Sequence, residues 1–413
     1  MRKSFILFVW LAAGLPFFLS AQYFQTPRLL VPYTSNAPEI GSVSAVMIDV
    51  ETGALLYAKN PDKEIPPASL TKLMTLHLLM KEIEEGRASY DELVPITVES
   101  WAQSQPPGSS LMFLAPGQIV TLREIMLGLS VSSGNDAAVA AALRLAPSMR
   151  DFAEMMTAEA RGMGLNVTRF TEASGYSEEN MTTAAEYAYF CRRYLRLHPD
   201  ALRNFHSVYE FAYPKAGNVP EHLRSNPRTI VQYNRNSMLI SYPGVDGLKT
   251  GYIDEAGYNI ALTAQRYHTR FLAVILGAPA VPGGEHIRTT DGERLLTWAF
   301  ENFKTVRPVI DHDVMEEYEN FRLWKGKENI VKLKPEFPLD FTSPVNRANE
   351  LLFEIDIQQP LTAPLPEGFT AGFLVVSDEH GELNRAPLVT TSAYQKGNIF
   401  KRLWHSILIL FKF

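Results

Sequence analysis

The chain has 413 residues, 46% hydrophobic and 20% charged, with a formal net charge of −6. That balance excludes a disordered chain and allows two or three domains around at least one large core. Its acidity argues against a nucleic-acid partner, and a single cysteine, Cys191, excludes an intrachain disulfide.

Residues 1–21, MRKSFILFVWLAAGLPFFLSA, join two basic residues, an apolar stretch and Ser20-Ala21. This is the build of a secretory signal peptide cleaved after Ala21. Its removal takes Arg2 and Lys3 but no acid, leaving a mature charge of about −8. The address and the cysteine count together suggest a large cell-envelope protein held by its core. Residues 22–41 read as an extended lead-in. SAVMIDVETGALLYAKN (43–59) holds two apolar runs joined at Glu51-Thr52-Gly53, which predicts a β-hairpin. From Ser69 to Glu84, Leu70, Leu73, Met74, Leu76 and Met80 follow the helical period.

Residues 95–118 read as loop and short strand. Thr121-x-x-Glu124 is a capping box opening a helix, TLREIMLGLSV. Further helices are expected over 137–145, 149–163 and 183–197, the last carrying Cys191 into the core. Strands return at TIVQYNRN, VDGLKTGYI and YNIALTAQRYHTRFLAVILGA, the final run folding back at Tyr267-His268. A helix over 287–303 closes the unit. Strands flanking a helical middle describe one α/β domain, 22–306, whose sheet is drawn from both ends of the segment.

Residues 307–391 differ in character: ENIVKLK, LLFEIDIQ and AGFLVVSDEHGELNRAPLVT are short alternating runs separated by Pro, Gly and Asn. They predict a small β-rich domain. After a linker-like TSAYQKGN comes an amphipathic helix within 392–413. One face carries Ile399, Phe400, Leu403, Trp404, Ile407, Leu408 and Phe411; Lys401, Arg402, His405 and Lys412 lie mostly opposite. Such a helix lies along a membrane surface rather than spanning it, or else docks on the protein's own core.

Three motifs carry chemistry. Ser69 and Lys72 are i, i+3 neighbours on one helix face. A serine hydroxyl needs a base to become a nucleophile, and a lysine serves only when burial or a second cation keeps it neutral. Ser133-Gly134-Asn135 falls between two helical patterns, where either polar residue could simply cap the second helix. Lys249-Thr250-Gly251 lies inside a strand pattern. The nine histidines are scattered without HExxH, so no metal or cofactor is expected; His77 reads as a packed core residue.

S-x-x-K, S-x-N and K-T-G in this order resemble the signature of penicillin-binding proteins and β-lactamases. The chain resembles low-molecular-weight penicillin-binding proteins that are D-alanyl-D-alanine carboxypeptidases, over nearly its whole mature length; Ser-Gly-Asn rather than Ser-Asp-Asn also resembles that branch. The resemblance implies an antiparallel sheet with helices on its faces and a helical subdomain, then a β-rich domain and the amphipathic anchor. It implies an exported protein on the periplasmic side of the cytoplasmic membrane, acting on peptidoglycan stem peptides ending in D-Ala-D-Ala and binding β-lactams.

By the same resemblance, Ser69 is the nucleophile and Lys72 its base. Ser133 passes a proton to the leaving amine, and Asn135 holds the peptide or Lys72. Lys249 helps to depress the Lys72 pKa and, with Thr250, binds the terminal carboxylate. Gly251 lets the substrate backbone lie against the strand, and the N–H groups of Ser69 and Tyr252 form the oxyanion hole. Arg288, ten residues before Trp298, is similar to the family's arginine after the last core strand, and Arg235 to a second at the cleft rim. Many members carry histidine where this chain has Tyr252, so a pH dependence owed to an imidazole should be absent. Three rivals are a D,D-endopeptidase cutting cross-links, a β-lactamase using Glu172 as its hydrolytic base, and a non-catalytic envelope protein.

Overall fold

A computed structural model describes residues 36–347, 350–357 and 359–412; the expected signal peptide and most of the lead-in lie outside them. β1 (Ser44–Asp49) is buried throughout and doubles back into β2 (Leu55–Lys59), with Met47 opposite Tyr57. The turn uses Gly53 at φ +76°, a conformation that costs glycine least. α1 (Lys72–Glu84) is buried from Lys72 to Met80, so its apolar residues surround the helix instead of forming one stripe. β3 (Leu93–Val94) pairs with β4 (Val120–Thr121). The expected capping box opens α2 (Leu122–Leu127): the Thr121 hydroxyl accepts from Glu124 N–H at 3.3 Å, and Glu124 Oε2 accepts from Thr121 N–H at 3.0 Å.

α2 widens into a π-helical turn over Gly128–Ser132 before α3 (Asn135–Leu145), α4 (Met149–Gly162) and α5 (Ala184–Leu197). Ser148 and Thr183 cap the last two through their side chains. β5 (Glu210–Tyr213) and β6 (Ile230–Tyr233) form a separate two-stranded ribbon, so the strand expected near 229 does not join the main sheet. α6 (Met238–Ser241) leads to β7 (Val245–Ile253), β8 (Gly257–Arg266), β9 (Thr269–Ala278) and α7 (Gly284–Asn302).

The main sheet runs β2-β1-β9-β8-β7, antiparallel and assembled from both ends of the segment. β9 shows why it is two-sided. Leu272, Val274 and Leu276 enter the core shared with α1, α3 and α5, while Phe271, Ala273 and Ile275 enter a second core against Leu295, Trp298 and Ala299 of α7.

Beyond α7 come β10 (Phe303–Val306), α8 (His312–Glu319), β11 (Phe321–Arg322), β12 (Ile330–Val331), β13 (Leu333–Pro335) and β14 (Phe341–Pro344). β15 (Leu352–Ile357), β16 (Thr370–Asp378) and β17 (Gly381–Thr390) complete a sheet of order β13-β17-β16-β15 over its own core of Leu323, Val331, Leu374, Val376 and Leu388. β14 pairs back onto β10. Asp49 rivets the two units: its Oδ2 accepts from the hydroxyls of Thr305 at 2.7 Å and Thr342 at 2.8 Å.

α9 (Ile399–Lys412) ends the described chain. The stretch before it is no free linker, as its composition suggested. Tyr394 exchanges backbone bonds with Leu365 at 2.8 and 3.0 Å, and Gly397 N–H reaches Lys325 O at 2.8 Å. The polar face of α9 docks on the β-rich domain: His405 is buried edge-on to Trp324, its Nδ1 accepts from Lys325 N–H at 2.8 Å, and Lys401 Nζ reaches Lys327 O at 2.7 Å. Ile399, Phe400, Leu403, Trp404, Leu410 and Phe411 remain exposed. Among the described residues, no helix is long and apolar enough to cross a membrane.

Candidate functional site

The motifs converge where α1, α3 and β7 meet. Ser69 stands on a 3-10 turn, Ala68–Thr71, that feeds α1; Lys72 is the first residue of the α-helix proper and is fully buried. Two glycines press on this turn. A Cβ on Gly175 would lie 1.8 Å from Ala68 O, and one on Gly251 would lie 2.9 Å from Pro67 O and 3.0 Å from Ser69 N. Gly251 is therefore required by the nucleophile's own backbone, whatever room it also leaves for a substrate.

Lys72 Nζ has three partners: Ser69 Oγ at 3.0 Å, Asn135 Oδ1 at 2.8 Å and Ser174 O at 2.6 Å. Asn135 does not cap α3; Gly134 occupies that position without a side-chain bond. Its amide is instead oriented by a bond from Nδ2 to Ser109 Oγ at 3.0 Å, and its N–H reaches Ser110 O at 2.8 Å. The neighbouring Asp136, fully buried, accepts from Met112 N–H at 2.8 Å and Leu114 N–H at 3.0 Å, tying the 109–114 segment over the site.

Ser133 sits at φ +57° where the π-helical turn ends, a left-handed conformation that projects its side chain out of both helices. Its hydroxyl accepts from Lys249 Nζ at 2.9 Å. Lys249 and Thr250 are buried on β7, an edge strand of the sheet, while Tyr252 is exposed, its ring tilted against Tyr258 with centroids 4.3 Å apart and its hydroxyl bonded to Asp254.

Burial pushes the Lys72 amine from 10.5 down to about 7, against an upward pull from Glu172 and Asp136 and with a further push from Arg235. Lys249 is also held well below its ordinary value, by burial first and then by Lys72, Arg235 and Arg288. Lys72 and Lys249 repel one another as two buried amines, and Arg235 adds to the positive field on both. Arg235 itself is exposed, between β6 and α6. Arg288 is only 4% exposed; its Nη2 bonds Glu285 at 3.2 Å, its guanidinium faces Tyr258, and its Nε has no hydrogen-bond partner.

Sequence reading missed the Ser174 carbonyl, Ser109, Asp136 and Asn180. A carbonyl carries no residue signature; Asp136 stood directly beside Asn135 but reads as an ordinary first-turn acid. Glu172 is present near Lys72 but has no oxygen to spare, as its bonds are spent within its own loop. Oε2 takes Ser174 N–H at 2.6 Å and the Ser174 hydroxyl, and Oε1 takes Gly175 N–H at 2.6 Å and Asn180 Nδ2 at 2.9 Å. His77 is buried as expected, bonded to His198 at 2.8 Å and Glu159 at 3.1 Å. Among the described residues, no cluster of His, Cys, Asp or Glu has the makings of a metal site.

Residues 32–280 match the family model for peptidase S11, D-alanyl-D-alanine carboxypeptidase, and residues 303–396 match the C-terminal domain of penicillin-binding protein 5. The chain is 29% identical over 406 residues to D-alanyl-D-alanine carboxypeptidase DacC of Escherichia coli K12, covering 97% of this chain and 95% of that one. With DacD of the same organism it shares 32% over 378 residues, covering 90% and 92%. The structure of penicillin-binding protein 5 from Haemophilus influenzae superposes with a TM-score of 0.74 at 28% identity, over 87% of this chain and 99% of that one.

Proposed function

The chain belongs to the D-alanyl-D-alanine carboxypeptidase family of serine peptidases, and from that premise we propose which side chains do the work. One observation carries the reading: a buried Lys72 amine 3.0 Å from Ser69 Oγ, whose other two partners, Asn135 Oδ1 and Ser174 O, can only accept. A neutral amine has two N–H bonds and one lone pair. With both N–H bonds taken, the lone pair faces Ser69, and the hydroxyl gives up its proton there as Oγ attacks the penultimate D-Ala carbonyl.

The oxyanion develops against the N–H groups of Ser69 and Tyr252, at the N-terminal end of α1; one such donor is typically worth ~3 kcal/mol. Ser133, whose oxygen already accepts from Lys249, has its O–H left to hand a proton to the departing D-Ala amine, and is made good by the proton that Lys72 took from Ser69, which leaves Lys72 neutral again. Water then cleaves the Ser69 ester and restores the hydroxyl. Lys249 and Thr250 take the terminal carboxylate with Arg288, whose buried Nε–H has no protein partner; Arg235 supplies positive field from the rim. Mass spectrometry after benzylpenicillin treatment should find the adduct on the tryptic peptide bearing Ser69, and none in Ser69→Ala. An adduct elsewhere would overturn the assignment.

Pentapeptide should yield free D-Ala while cross-linked dimer is left intact; cutting of the dimer would favour the endopeptidase reading. The saturated Glu172 carboxylate argues against a β-lactamase, because a water-activating base needs a free oxygen. Benzylpenicillin should therefore deacylate slowly. We place the protein on the outer side of the cytoplasmic membrane, with the exposed apolar face of α9 in the lipid surface. Deleting 396–413 should release the protein from membranes and leave penicillin labelling intact; a truncated form that still pellets would refute the anchor.

A further inference from the structure

We propose that Glu172 is a positioning residue for the general base: its carboxylate fixes the 171–180 loop so that the Ser174 carbonyl meets Lys72 and Gly175 bears on the Ser69 turn, with its charge turned toward the amine. The inference deepens the catalytic reading above and rests on it. Three contacts of the loop with the site are set by bonds to Glu172, beside a fourth from Thr75 Oγ1 to Ala173 O at 3.0 Å. Oε2 accepts from Ser174 N–H at 2.6 Å, which orients the peptide whose carbonyl takes Lys72 Nζ at 2.6 Å. Oε1 accepts from Gly175 N–H at 2.6 Å, and Gly175 is the residue whose Cβ would strike Ala68 O. Asn180 Nδ2 links the same oxygen, at 2.9 Å, to Thr71 Oγ1 at 3.2 Å, so the far side of the nucleophile turn hangs on this carboxylate too.

The second part of the role is electrostatic. The charges acting on Lys72 are Glu172 from the loop, Asp136 from α3 and Arg235 from between β6 and α6, while Lys249 on β7 shares the pocket through Ser133. Glu172 is the foremost of them in holding the amine up, against the burial that brings it to about 7. A neutral side chain at 172 removes that support, and the amine then loses its proton at lower pH. The sign is fixed: the acid limb of acylation, which rises as Lys72 deprotonates, moves down.

The test is the pH profile of benzylpenicillin acylation for wild type, Glu172→Gln and Glu172→Asp, each checked for a folded melting transition. Misplacing the loop by about 1 Å should slow acylation roughly 10- to 100-fold in both variants. Only Glu172→Gln should shift the acid limb below the wild-type position; Glu172→Asp, which keeps the charge, should leave it in place. A slowed Glu172→Gln with an unmoved limb, or either variant acylating at the wild-type rate, overturns the proposal. If Glu172→Gln does not fold, the limb in Glu172→Asp decides, and a shift there overturns it. A wild type that is not labelled on Ser69 would instead sink the catalytic reading itself, so the two failures are separable.

Discussion

Lys72 ties function to a cost in stability. Its amine has a pKa of 10.5 unfolded and about 7 folded, so between those values the unfolded chain holds more protons. Stability therefore rises with pH across that window, and the penalty is fully present below about pH 7. Lys72→Met, which keeps the length without the charge, should raise Tm by a few degrees at pH 7 and lose that gain as pH nears 10.5. Differential scanning calorimetry across pH checks this; a gain that grows with pH would contradict the sign. Activity should show the complement, an acid limb near pH 7 in wild type and none in Lys72→Arg, whose guanidinium stays charged and whose acylation should fall by about 10²–10⁴-fold. Sequence alone exposed Ser69, Lys72, Ser133, Asn135 and Lys249 because each rests on a side-chain type at a fixed spacing. It could not expose the Ser174 carbonyl, 102 residues from Lys72, because every residue owns a carbonyl and only the fold aims it.

The elements divide along the same line. β1, β2, β8, β9 and α1 are strongly periodic or continuously apolar, and their spans were legible. α8 is hard to read from sequence because its eight residues carry one short apolar stripe, Val314, Met315 and Tyr318, of which only Tyr318 is fully buried. The turn before α1 was read as α-helix, yet Ala68 sits at φ +50° and the first turn is 3-10, because Gly175 and Gly251 both press on that backbone. Those contacts are long-range and leave no mark on local propensity. Gly175→Ala adds a methyl 1.8 Å from a backbone oxygen, at a φ of +81°, where neither partner can yield cheaply. It should cost about 3 kcal/mol or more and abolish acylation, measured by denaturant unfolding and by penicillin labelling. Near-wild-type values in both would show that the turn is soft.

Across the whole molecule, the two domains and the terminal helix are joined by short polar contacts rather than by a floppy tether. Asp49, fully buried on β1, binds hydroxyls on β10 and β14. Asp49→Ala strands the Thr305 hydroxyl and leaves Thr342 only its bond to Thr52 Oγ1, an effect of about 1–3 kcal/mol, and should split one calorimetric transition into two as the β-rich domain melts ahead of the catalytic one. A single, merely lowered transition would show that the domains are coupled elsewhere. At the far end His405 and Lys401 clamp α9 to the same domain. Anchored as proposed, this series of rivets acts as a strut of set length, carrying the cleft at one altitude above the lipid. On that placement, wall strands outside that layer would be out of reach however well their termini fit, and the enzyme would select its targets by depth as well as by chemistry.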